Sequence, residues 1–299
     1  MDMLRITGLC KRFGDKEVLR GVDLAVPKHS IYGFIGKNGS GKTTTMKTVL
    51  GLLRPDAGEI TVNGERVVYG QTATNRYIGY LPDVPEYYSF MTAEEYLRFC
   101  AEITDMDREE IDARVAELLA LVGLANEGHR IKGYSRGMKQ RLGIAQALLN
   151  KPKLLICDEP TSALDPVGRK EILDILVAVR EQTTVLFSTH ILSDVERICT
   201  DVAFLNGGVI EINGKLADIK AGSRGSEYQI ETEREEDTAR LGEVFPSMRA
   251  IDRCKVKFYE SDYDVADILR FVADERIAIL RIERAELGLE DLFMEVTAK

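Results

Sequence analysis

Short apolar runs, each followed by a small or polar residue, recur through the first two hundred residues. Ile31–Ile35 (IYGFI), Leu154–Cys157 (LLIC), Val185–Phe187 (VLF) and Val202–Leu205 (VAFL) are the plainest. Runs that are apolar at every position predict strands covered on both faces, and the helical periodicity between them predicts an α/β core with a largely parallel sheet. Ahead of that core, Leu4–Thr7, Val18–Val26 and Gly58–Val68 are β-like. They are broken by Gly14-Asp15, Pro27 and Asn63-Gly64, the last a good hairpin signal, so an antiparallel β layer is expected there.

Between Thr92 and Asn150 the period changes to helical. TAEEYLRFCAEI opens with Thr92 and has Glu95 three residues on, and REEIDARVAELLALVGL repeats apolar residues at helical spacing. These signals predict a helical subdomain over about residues 86–150. After Val209–Ile212 the small polar segment AGSRGS, residues 221–226, predicts a linker. Beyond it YQIET and CKVKFYE alternate like strands, Val265–Ala273 reads as an amphipathic helix, and Ile277–Ile282 is apolar again. The expected division is therefore a large domain over 1–220 and a small α+β domain over 221–299.

With 299 residues, 44% of them hydrophobic and 30% charged, the chain can bury a sizeable core. Its formal net charge of −9 argues against a general affinity for nucleic acid or anionic lipid, so no nucleic acid partner is expected. Five scattered cysteines, Cys10, Cys100, Cys157, Cys199 and Cys254, form no C-x-x-C pair, which fits reduced thiols in a cytosol. No run of 18 apolar residues occurs, and the amino terminus lacks the apolar core of a signal peptide. A membrane role would need another chain to span the bilayer, with this one on the cytoplasmic face.

Gly36–Thr43 read GKNGSGKT, matching G-x-x-x-x-G-K-[ST] between a predicted strand and a predicted helix. The glycines let backbone N–H groups turn toward phosphate oxygens, and the helix start near Lys42 adds its positive dipole end. Gly36, Lys37, Asn38, Gly39, Ser40, Gly41, Lys42, Thr43 and Thr44 are thus the expected nucleotide-phosphate cradle. Lys42 reaches the β and γ phosphates, and the Thr43 hydroxyl ligates Mg²⁺. The expected class is a P-loop NTPase core with a mainly parallel sheet.

LLICDEP places Asp158 and Glu159 at the carboxyl end of a predicted strand, where α/β folds bind ligands. Asp158 is expected to orient Mg²⁺ through a water, and Glu159 to polarise the water that attacks the γ phosphate. His190, after VLFST, falls on the same sheet edge and is expected to meet the γ phosphate. His29 and His129 stand in turn-like contexts and receive no role.

GKNGSGKT, YSRGMKQRL, LLICDEP and FSTH, in that order, resemble the ATP-binding cassette family, the ATPase subunits of ABC transporters, over about residues 1–220. SALDP, Ser162–Pro166, is similar to that family's dimer-contact loop. The resemblance implies an ATPase that pairs head to tail with a second copy of itself or a sister ATPase. Ser135 and Gly137 of one copy then hold the γ phosphate bound to Lys42 of the other, and ATP acts as glue until it is hydrolysed. It further implies a separate transmembrane permease as partner, and Phe13 as the aromatic that stacks on adenine.

Two departures stand out. Arg136 replaces a glycine in YSRGM, and IGYLPD places Asp83 where the family presents a glutamine to Mg²⁺ and to the membrane partner. The closing ELGLEDLFMEVT resembles an extension found on ATPases of exporters. Two other functions compete with a transport ATPase: a soluble ABC-type ATPase acting on DNA or ribosomes, and an ATP-dependent switch without useful hydrolysis. The chain lacks the coiled-coil inserts and zinc cysteines of the former, and the presence of Glu159 and His190 argues against the latter. The cargo is not written in this chain.

Overall fold

Two antiparallel strands open the chain in the computed structural model, which describes residues 2–222, 227–285 and 289. These are β1 (Asp2–Phe13) and β2 (Lys16–Pro27), both longer than the apolar runs alone indicate. β3 (Ile31–Ile35) ends in the phosphate loop, from which α1 (Lys42–Val49) leaves. β4 (Ala57–Val62) and β5 (Glu65–Arg66) form the expected hairpin, with Val62 paired to Glu65. Asn63 and Gly64 have φ of 49° and 83°, the pair of left-handed residues that a two-residue hairpin turn demands. The order of this antiparallel layer is β2-β1-β4-β5.

β6 (Ile78–Leu81) precedes the helical segment, made of α2 (Ala93–Ile103), α3 (Arg108–Leu121) and α4 (Arg136–Leu148). Thr92 and Glu95 form a complete capping box: Thr92 Oγ1 accepts from Glu95 N at 3.2 Å and Glu95 Oε2 from Thr92 N at 2.8 Å. Strand and helix then alternate through β7 (Leu154–Asp158), α5 (Pro166–Val179), β8 (Thr184–Thr189), α6 (Leu192–Ile198) and β9 (Asp201–Asn206). β10 (Val209–Lys215) and α7 (Leu216–Gly222) follow. The larger sheet runs β10-β9-β3-β8-β7-β6, parallel except for the edge strand β10. The first four residues of IGYLPD form β6, a strand that the apolar runs did not indicate, and pair with β7.

Both faces of that sheet are covered, which is why its strands are apolar at consecutive positions. On one face Tyr32 and Phe34 join Leu4, Ile6, Val26 and Ile60 of the antiparallel layer and Met46 of α1 in a common core. Burying Phe34 alone contributes roughly 1.5–3 kcal/mol. On the other face α6 lies so close to β3 that a Cβ at Gly33 would stand 2.9 Å from Cys199 Sγ and 3.1 Å from Val195 Cγ1.

Helix α4 is held even more closely against β6. A Cβ at Gly79 would lie 2.0 Å from the Ala147 carbonyl oxygen, and one at Gly143 would lie 2.4 Å from Leu81 Cδ1. A glycine on each side of the contact, Gly79 against Ala147 and Gly143 against Leu81, thus sets how closely α4 lies on β6.

The chain divides into two compact units, Met1–Leu216 and Ala217–Lys299. In the second, β11 (Glu227–Thr232), α8 (Glu235–Val244), β12 (Arg249–Asp252), β13 (Lys255–Tyr259), α9 (Val265–Asp274) and β14 (Ile279–Ala285) alternate as β-α-β-β-α-β. The sheet order β12-β13-β11-β14, antiparallel throughout, is the ferredoxin-like arrangement. Ile230, Leu241, Val256, Phe258, Ile268 and Val272 form its core. Of the polar segment 221–226, the first two residues end α7 and so belong to a helix. Residues 223–226 lie outside the described residues, as does the closing ELGLEDLFMEVT apart from Leu289. Among the described residues no helix is long and apolar enough to cross a membrane.

Gly79→Ala places a methyl against a main-chain carbonyl that cannot turn aside. It is expected to destabilise the larger unit by about 1–3 kcal/mol, read as a lowered urea midpoint with the small unit's transition unchanged.

Candidate nucleotide site

The turn after β3 is shaped by glycine. Gly39 and Gly41 have φ of 81° and 112°, and a Cβ at Gly41 would lie 2.7 Å from Leu19 Cδ2. Gly41 is the N-cap of α1 and offers no side-chain cap, so the first N–H groups of that helix are left for an anion. Ser40 Oγ is buried without a hydrogen-bond partner. Orphan donors around a backbone cradle fit a phosphate group.

Lys42, only 6% exposed, sits over this loop. Its Nζ donates to the carbonyls of Gly36 at 2.6 Å and Lys37 at 3.3 Å. Glu159 Oε1 lies 3.1 Å from the same Nζ, an ion pair whose alignment falls short of a hydrogen bond. The other carboxylate oxygen, Oε2, is 2.9 Å from His190 Nδ1. With Glu159 ionised, Nδ1 carries a proton and donates it to Oε2.

Glu159 follows the last residue of β7 and has φ of 50°, a left-handed conformation that costs a non-glycine residue about 1–2 kcal/mol. Ser188 on β8 holds the turn. The N–H of Glu159 donates to Ser188 O at 3.2 Å and to Ser188 Oγ at 3.0 Å, while that hydroxyl donates to Asp158 Oδ1 at 2.6 Å. One serine therefore holds the Asp158 carboxylate and the Glu159 backbone. It stands in the FSTH motif, where nothing in the local pattern distinguishes it from its neighbours.

A cavity of about 590 Å³ gathers Phe13, Asn38, Gly39, Gly41, Lys42, Thr43, Thr44, Asp83, Glu159 and His190, together with Ser162 of the SALDP stretch and with Lys16 and Val18, which sequence reasoning did not single out. Phe13 is 49% exposed, and Lys11 Nζ stands over one face of its ring, 5.4 Å from the centre. Asp158, 2% exposed, lies behind the lining. Gly36, Lys37 and Ser40 belong to the loop without lining the cavity.

Asp83 occupies the far side. Partial burial pushes its carboxyl above the ordinary range; Arg136 opposes the shift, and the charges of Asp158 and Glu159 add to it. Burial and the charge of Asp158 likewise push the Tyr80 phenol up to about 12. Thr43, Asp158 and Asp83 offer the hard oxygen ligands that suit Mg²⁺. Among the described residues no three His, Cys, Asp or Glu gather into a cage of their own. That donor set fits a cation held largely by phosphate and water.

Ser135 and Gly137 do not reach this cavity. Ser135 caps α4, its Oγ accepting from Met138 N at 3.2 Å, and both residues line a second cavity of about 380 Å³ with Arg136, Leu164 and Asp165. The two cavities share no lining residue. A capping hydroxyl that accepts once still has its own proton to donate, so the second cavity also presents anion-binding groups.

A parallel sheet with a glycine-rich phosphate loop, a buried lysine and paired acids at the end of the strand next but one defines a P-loop nucleotide-binding ATPase core. The comparisons then narrow the class. A model of the ABC transporter family matches residues 19–162. The chain is 44% identical over 219 residues to YxlF, an uncharacterised ABC transporter ATP-binding protein of Bacillus subtilis (strain 168), covering 73% of this chain and 72% of that one. It is 31% identical over 313 residues to the bacitracin transport ATP-binding protein BcrA of Bacillus licheniformis, covering 98% of this chain and 97% of BcrA. A solved ATP-binding subunit of an ABC transporter superposes with TM-score 0.65 at 33% identity, covering 73% of this chain and 92% of that one. CbiO1 of Clostridium perfringens superposes with TM-score 0.68 at 25% identity, covering 82% of this chain and 96% of cbiO1. The chain belongs to the ABC transporter ATP-binding family, whose members bind ATP and hydrolyse it to power transport.

Ser188→Ala removes the hydroxyl shared by Asp158 and the Glu159 N–H. It is expected to lower unfolding free energy by about 1–3 kcal/mol, measured by urea denaturation, whereas Ser193→Ala on the exposed side of α6 leaves it unchanged.

Proposed function

We propose that this chain is the ATPase subunit of an exporter, in which ATP closes a head-to-tail pair of copies and hydrolysis reopens them, driving a separate membrane permease. The observation that carries this reading is the separation of two anion-binding features on one chain. The phosphate loop opens into one cavity, and Ser135 and Gly137 open into another. A second copy, or a sister ATPase, brings the missing half.

In this reading residues 1–220 do the work on ATP. Phe13 stacks on the adenine, and the backbone from Gly36 to Thr44 cradles the phosphates. Lys42 exchanges its internal partner Glu159 for phosphate oxygen. Glu159, released from that ion pair, orients a water and takes its proton, while His190 holds the carboxylate and meets the γ phosphate. Thr43, Asp158 and Asp83 hold Mg²⁺, directly or through water, and the ion when bound neutralises charge on the β and γ phosphates.

Gly137 supports the head-to-tail arrangement by what it does not touch. A Cβ there would meet nothing closer than 3.9 Å within its own chain, so any need for glycine comes from outside the chain. The permease is expected on the exposed aromatic cluster that follows Asp83. Val84, Tyr88 and Phe90 are 64%, 51% and 61% exposed, and Tyr88 packs edge-on against Phe99 at 5.5 Å. Solvated aromatics in such a group mark a contact surface. Likeness to BcrA along nearly its whole length, including the second unit, supports export over import and an accessory role for residues 221–299.

Glu159→Gln is expected to keep ATP binding, slow hydrolysis at least about 100-fold, and accumulate an ATP-bound dimer in gel filtration. Hydrolysis at the wild-type rate would remove Glu159 from the chemistry. Gly137→Asp is expected to fold and bind ATP as the wild type does, yet to stay monomeric with ATP in the Glu159→Gln background. A dimer that survives both changes would sink the head-to-tail arrangement.

A further inference from the structure

Asp83 and Arg136 are far apart in sequence, and each lines a different cavity: Asp83 the one with the phosphate loop, Arg136 the one with Ser135 and Gly137. Arg136 Nη2 donates to Asp83 Oδ1 at 3.3 Å, so this ion pair is a direct side-chain tie between the two cavities. It rests on a stiff frame. Gln140 Nε2 donates to the Asp83 carbonyl at 2.7 Å, Tyr87 Oη donates to the Lys139 carbonyl at 2.6 Å, and Gly143 lets Leu81 and Tyr87 close against α4. The charged groups therefore meet without either segment having to be ordered first.

Asp83 also feels the charges of Asp158, Glu159 and His190, the last two lining the phosphate-loop cavity with it. A divalent cation among those acids would attract the Asp83 carboxylate and repel the Arg136 guanidinium. We infer that Arg136 and a divalent cation compete for Asp83, so that cation uptake in the phosphate-loop cavity unties the head of α4 from it. Arg136 is then a positioning residue that reports cation occupancy to the segment carrying Ser135 and Gly137. The inference rests on the reading of Asp83 as a metal-side carboxylate.

The test is a double-mutant cycle on the full chain, with a fluorescent ATP analogue titrated in EDTA and in Mn²⁺, a dication that accepts the same oxygen ligands. The quantity read is the gain in affinity that Mn²⁺ confers. Arg136→Gln is expected to raise that gain roughly 1.5- to 5-fold, the range of an exposed ion pair, whereas Arg136→Lys keeps it near wild type. Asp83→Asn is expected to lower it, and Arg136→Gln added to Asp83→Asn to change nothing further. An unchanged gain in Arg136→Gln, or an equal rise with Asp83 replaced, overturns the competition alone. An unchanged gain in Asp83→Asn overturns both the competition and the metal-side reading of Asp83.

Discussion

A lysine ammonium taken out of water needs an anion beside it, and the site is organised around that need. Lys42 is packed against two carbonyls of its own loop and the Glu159 carboxylate. The loop in turn presents uncapped helix N–H groups to the same space. In the proposed reading an entering phosphate accepts from these donors and displaces the carboxylate from the ammonium. The group that neutralises the lysine in the protein alone is the one that the proposed chemistry later requires to be free.

The fold supplies this arrangement through strand ends. β3, β7 and β8 lie side by side and parallel, so the phosphate loop, the Asp158–Glu159 pair and His190 emerge at one edge. The left-handed turn at Glu159 is strained, and Ser188 compensates with two hydrogen bonds from the neighbouring strand. Helix α4 belongs to a different part of the same unit. Gly79 and Gly143 set its closeness to β6, which places Arg136 over Asp83 and leaves Ser135 and Gly137 facing the second cavity.

Much of this could be read from the residues, for reasons that differ by element. Asn63-Gly64 and the Thr92–Glu95 pair specify their own geometry within four residues, so the hairpin and the capped helix were legible. β6 was not, because IGYL is four residues long, half-exposed at alternate positions and interrupted by a glycine whose purpose appears only when α4 is seen against it. α8 buries just Thr238 and Leu241, too few for a periodic stripe. In the site, local motifs singled out Lys42, Glu159, His190 and the acid Asp83, and the fold gathers them in one cavity. The Asp83–Arg136 contact and the support from Ser188 could not be read, since both join segments distant in sequence through tertiary packing.

Specific activity as a function of protein concentration tests the central claim most directly, since one chain's own Ser135 and Gly137 face away from its phosphate loop. The account predicts that ATP turnover per chain rises with concentration and levels off where sedimentation detects the ATP-bound dimer. Turnover per chain that stays constant down to dilutions at which only monomer sediments would contradict it.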